Sequence, residues 1–126
     1  MRLALVALGG AIGSSLRFLL GGAVQGLFPQ AAFPWGTLFV SVAGCFALGV
    51  LAQLAEGRGF LGPDARVFLL IGVLGGFTTF SAFAHETVNS LRDGVPVLAL
   101  VNVAASVVLG LGAVWAGRVL AHVVWR

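Results

Sequence analysis

GVLGGFTTFSAF, Gly72 to Phe83, interrupts an apolar run from Val67 to Leu91 that is otherwise long enough to cross a bilayer. A lipid-facing helix has no use for Gly75 and Gly76 followed by Thr78, Thr79 and Ser81, with Phe77, Phe80 and Phe83 between them. Two glycines and two threonines at mid-span invite the helix to unwind, and unwound backbone is tolerated at that depth only inside protein or against a cavity. Freed carbonyls there offer oxygens to a cation, while freed N–H groups at the start of a second half-helix offer an anion a positive end. Taken locally, the same residues also fit a continuous helix whose hydroxyls bond back to carbonyls one turn earlier. Phe77, Phe80 and Phe83 are spaced i, i+3 and i+6, along one drifting helix face. Ring edges carry partial positive charge, so part of that face can meet a small anion without presenting a full charge.

The surrounding composition makes this a membrane protein. Of 126 residues 60% are hydrophobic and 9% charged, against roughly one-quarter charged in ordinary soluble domains. At roughly 20 apolar residues per crossing, the length holds four spans and short connections. They fall at about 3–24, 35–55, 67–91 and 96–124, forming a single four-helix domain over residues 1–126. The runs are too long and continuous for barrel strands. The linkers GLFPQAAFP, EGRGFLGPDAR and RDGVP carry proline, glycine and charge, so consecutive helices are expected to be antiparallel neighbours. The first span reads as an uncleaved helix, and the single Cys45 excludes an intramolecular disulfide.

All seven basic residues are arginines, and the net charge of +3 is spread along the chain, which is no nucleic-acid footprint. Four spans put the amino end, the second linker and the carboxyl end on one side, with Arg2, Arg58, Arg66 and Arg126. So few charges orient the chain only weakly. Nineteen glycines are costly in helices and are expected to serve mainly close packing, as with Gly9 and Gly13 one turn apart.

Further polar residues lie within the spans. Arg17 is the most expensive of them and needs a partner or water. Ser14, Ser15, Thr37, Ser41, His85, Glu86, Asn102 and Ser106 complete the set, and the Asn102 amide demands a partner more strongly than a serine does. No metal-ligand spacing, nucleophile–base pair or phosphate loop appears, so the chain does not read as an enzyme.

GGAIGSSLRF, WGTLFVSVAGCFALG and GVLGGFTTFSAF, in this order across four spans, resemble the Fluc (CrcB) fluoride channels of bacteria. The likeness covers essentially the whole chain, and GGFTTFSAF is its most specific part. The resemblance implies an all-α membrane protein whose third helix is broken mid-membrane, assembled as an antiparallel, inverted homodimer of dual topology in the bacterial inner membrane. It further implies two passive fluoride pores that export the ion. A structural sodium ion would be held by backbone carbonyls of Gly75 and Thr78 from each subunit. Phe80 and Phe83 match the paired rings flanking the fluoride path; Thr79, Ser81 and Ser106 match polar positions along it; Arg17 matches a vestibule arginine and Glu86 a late third-helix glutamate.

Two positions depart from the family pattern: Ser41 stands where Asn is usual, and Asn102 where Tyr is usual four residues before the pore serine. Both remain assigned to the fluoride path, on the expectation that the amide donor has moved from the second helix to the fourth. A non-conducting partner subunit of a heterodimeric channel is one alternative. A small multidrug-type, proton-coupled transporter is another, although the first span lacks the acid such a protein needs.

Overall fold

The computed structural model describes residues 2–30, 33–58, 61–78 and 80–124, the side chains of 57 and 58 aside. Among these residues four helical segments are long and apolar enough to cross a membrane: Arg2–Gly26, Trp35–Glu56, Pro63–Arg92 and Pro96–Val124. No strand occurs among them. The chain is an all-helical, multi-pass membrane protein.

The third segment starts at Pro63, a turn earlier than its apolar stretch. Pro63 occupies the first helical turn, where its missing N–H costs nothing, and Asp64 beside it suits the positive helix end. Hydropathy marks where a helix enters hydrocarbon, whereas these residues mark where it begins. Arg2 pairs with Asp64 at 3.6 Å, Arg118 pairs with Glu56 at 2.7 Å, and Arg66 donates to the Ala55 carbonyl at 2.6 Å. Those contacts gather the start of the first helix, the second linker and the end of the fourth helix at one end of the bundle.

Packing follows the glycines. The first helix lies along the opening half of the third segment, and the second along the fourth. A Cβ at Gly9 would come within 2.7 Å of the Phe68 carbonyl oxygen and 2.9 Å of the Gly72 Cα, and one at Gly76 within 2.7 Å of the Gly10 oxygen. Here backbone touches backbone, as small residues permit where lipid removes the hydrophobic drive for association.

Within the third segment, π-helical turns over Val67–Val73 lead into Leu74–Phe77. Thr78 then leaves helical geometry, with φ −96° and ψ 140°. Its amide and its hydroxyl both donate to the Leu74 carbonyl, each at 2.9 Å. Helix resumes over Phe80–Arg92. Thr79, expected on the ion path, lies outside the described residues.

The third and fourth helices are joined by a turn of only a few residues. The Val95 amide donates to the Ser90 carbonyl at 2.9 Å and the Gly94 amide to the Leu91 carbonyl at 3.2 Å, a Schellman motif. It needs a left-handed residue, and Gly94 supplies it at φ 77°. Pro96 then opens the fourth helix. In the first linker Gln25 closes another gap. Its Nε2 donates to the Phe33 carbonyl at 3.2 Å, and its Oε1 accepts the Gly36 amide at 3.0 Å, capping a second helix whose own cap position is Pro34. Gln25→Leu keeps the bulk and removes both bonds. It is expected to cost about 1 kcal/mol, the usual worth of a helix cap. Thermal unfolding in detergent measures this, and an unchanged midpoint would show the cap to be dispensable.

Candidate functional site

Two cavities meet at Ser41. The larger, about 420 Å³, is a polar cleft at the end of the bundle that holds the first linker and the Gly94 turn. Arg17, Gln25, Thr37, Glu86, Asn89 and Asp93 are among the side chains lining it. The smaller, about 240 Å³, is lined by Ser41, Cys45, Thr78, Phe80, Phe83, Ser106 and Val107. Ser41 belongs to both. A charged cleft therefore adjoins a mostly apolar chamber carrying hydroxyls and two aromatic rings.

Local structure explains each placement. Arg17 sits midway along the first helix, and its Nε donates to the Gly76 carbonyl at 3.4 Å, near the end of the Leu74–Phe77 helical segment. Helix ends leave carbonyls without intrahelical donors, and a guanidinium is a suitable partner for one. Arg17 thus meets both conditions set by its cost in the membrane: a partner and a cleft. Glu86 accepts the Thr37 hydroxyl at 2.5 Å across the second and third helices.

Phe80 and Phe83 lie with ring centroids 5.4 Å apart and planes inclined by 53°, within the tilted arrangements that bring an edge near a face. Phe80 is 77% exposed on the single chain, so its ring stands largely outside this chain's own packing. Ser81, on the adjoining position, is also exposed, as is Gly75, where an added Cβ would meet nothing within 4 Å.

Asn102 stands apart from Arg17, Ser41, Phe80, Phe83, Glu86 and Ser106, each of which lines a cavity. It is 2% exposed and lines neither cavity. Its Nδ2 donates to the Thr87 hydroxyl at 2.9 Å, and its Oδ1 accepts the Ser106 hydroxyl at 3.3 Å. The amide is committed to Thr87 and Ser106, not to Ser41. Thr87 escaped the sequence reading. The signal for it was available: it follows Phe83 by one helical turn, and a buried amide on the neighbouring helix needed a partner. Gln25, Asn89 and Asp93 on the cleft, and Cys45 on the inner chamber, were likewise unassigned.

The family model for CrcB-like protein, Camphor Resistance (CrcB), matches residues 4–118. The chain belongs to the CrcB family. Within that family it is 51% identical over 118 residues to a fluoride-specific ion channel FluC of Opitutus terrae, covering 92% of this chain and 89% of the relative. It is 49% identical over 113 residues to the protein of that name from Methylobacillus flagellatus, covering 90% and 88%. A third CrcB relative of the same name, from Solibacter usitatus, is 46% identical over 122 residues, 97% of this chain and 99% of the relative. These matches run through both cavities, so the chamber and the cleft belong to the part of the chain shared with its relatives.

Proposed function

We propose that this chain forms a passive, fluoride-selective channel that releases cytoplasmic fluoride across the bacterial inner membrane. The observation that carries the reading is a charged cleft and a phenylalanine- and hydroxyl-lined chamber that share Ser41 in their walls, in a chain whose relatives are named fluoride-specific ion channels. Fluoride is small and strongly hydrated, so a pore must replace water with donors at close range. Positive ring edges at Phe80 and Phe83 and hydroxyls at Ser41 and Ser106 supply such donors, and Arg17 brings a guanidinium to the cleft beside the carboxyl groups of Glu86 and Asp93. Ser81 and Thr79 extend the path by resemblance. In acid surroundings fluoride enters cells as neutral HF and is trapped as the anion at higher internal pH, so a passive pore suffices for export.

The working unit in this reading is an inverted homodimer of dual topology with two pores. A sodium ion would be held by carbonyls of Gly75 and Thr78 from both copies, supplying fixed positive charge and rigidity at the centre. Carbonyl oxygens are suitable donors for a hard cation; Thr78 lies where the third segment leaves helical geometry, and Gly75 in the helical turn just before it. Exposure of Gly75 and Phe80 on the single chain supports a second copy covering that face. One broken segment then provides half of a shell, and its inverted partner the other half.

Purified protein in liposomes loaded with fluoride tests the function. Rapid fluoride release with chloride retained, unaffected by an imposed proton gradient, is the expected result. Flux coupled to protons would replace the channel with a transporter. Ser41 and Asn102 favour one second reading, a subunit that conducts only beside a distinct homologue. Release that appears only when that homologue is co-reconstituted would establish it.

A further inference from the structure

We infer that Asn102 and Thr87 act as a positioning pair, tying the Phe83 and Ser106 walls of the inner chamber into one hydrogen-bonded unit. The inference rests on reading that chamber as the fluoride path.

Four groups form a single directed chain. The Thr87 hydroxyl donates its one proton to the Phe83 carbonyl one turn back, at 2.8 Å. Its oxygen is therefore left to accept, and it accepts from Asn102 Nδ2 at 2.9 Å. With the amide nitrogen turned to Thr87, Oδ1 faces the other way and takes the Ser106 proton at 3.3 Å. The direction of every bond follows from the first. Phe83 and Ser106 both line the chamber, one on the third helix and one on the fourth, while Asn102 and Thr87 line neither cavity.

The longest link is the one at the chamber. A fluoride ion beside Ser106 competes for that hydroxyl proton as a stronger acceptor than an amide oxygen. When the ion leaves, Asn102 Oδ1 receives the proton again. Asn102 thus sets the resting direction of Ser106 and, through Thr87, anchors the turn bearing Phe83. Buried hydrogen-bonded chains polarise their members, so losing one bond alters both ends.

Rate and assembly separate this role from a merely structural one. Liposomes reconstituted at less than one channel per vesicle report two quantities for fluoride: release rate per active channel and the fraction of vesicles that empty. Thr87→Val keeps the side chain's shape and removes both of its hydrogen bonds. It is expected to slow release per channel at least tenfold with an unchanged fraction, while Thr87→Ser stays within twofold of wild type. Asn102→Leu is expected to slow release similarly. The double variant should be no slower than the slower single one, because both remove the same link.

A Thr87→Val protein with a wild-type rate overturns the inference. So does one that lowers only the emptying fraction or fails to assemble, since either outcome assigns Thr87 to folding alone. Multiplying effects in the double variant would separate the two residues and also overturn it. If Asn102→Leu does not fold, the Thr87→Val and Thr87→Ser comparison decides. Wild-type protein that releases no fluoride overturns this inference together with the channel reading, whereas active wild type with unaffected variants overturns the pair alone.

Discussion

Fluoride release through Phe80→Ile or Phe83→Ile protein is expected to fall by roughly 10- to 100-fold, which adds about 1.4 to 2.7 kcal/mol to the barrier. Isoleucine keeps an apolar side chain but has no positive edge to set against a dehydrated anion. The two rings lie 5.4 Å apart on one chamber, so each variant removes half of an aromatic pair. Phe80 gives the cleaner test. At 77% exposure it contributes little to packing within one chain, so a lost rate cannot be ascribed to a damaged core. Gel filtration of the variant alongside the flux assay checks that assembly persists. Normal rates in both variants would reduce the rings to packing and remove the main physical support for anion passage here.

Gly13→Val is expected to have the largest effect on folding of any single change considered. A Cβ at Gly13 would collide with the Val73 carbonyl and lie 2.8 Å from the Phe77 amide nitrogen. Both are backbone atoms, which cannot swing aside as a side chain does, so the helices must separate. Overpacking a tight site costs about 1 to 3 kcal/mol and sometimes more; here the displaced residues adjoin Thr78, and the site is lost with the packing. Gly10 provides the control on the same helix. An added Cβ there meets nothing within 4 Å, so Gly10→Ala should assemble normally and gain slightly in helix propensity. Yield and monodispersity in detergent distinguish the two variants. Equal behaviour would mean that the first and third helices do not meet as closely as described.

These contacts also delimit what the sequence made legible. Four spans were readable because continuous apolar runs separated by proline, glycine and charge have few other solutions. Phe80, Phe83, Ser41 and Ser106 were assigned to one path by motif and resemblance, and the structure brings them to a common chamber. Gly9 and Gly13 were recognisable by their one-turn spacing. Their counterparts around Gly72 and Phe77 were not, because spacing within a helix says nothing about which neighbour it faces. Asn102 illustrates the same limit: its need for a partner was visible, but finding Thr87 requires knowing how the third and fourth helices are rotated against one another. The π-helical turns over Val67–Val73 shift that rotation for the first half of the third segment in a way that apolar patterning does not encode.

The Gly94 turn acts as a length gauge for the site. Thr87 and Asn102 stand almost equally far from it along the two arms of one helical hairpin, and the Schellman bonds leave no slack between those arms. One extra residue placed after Gly94 would displace Val95 from the Ser90 carbonyl and change where the fourth helix starts against the third. Asn102 and Ser106 would swing away together, and their partners on the third helix would lose them in the same event. The five residues RDGVP are thus a poor place for a tag or reporter.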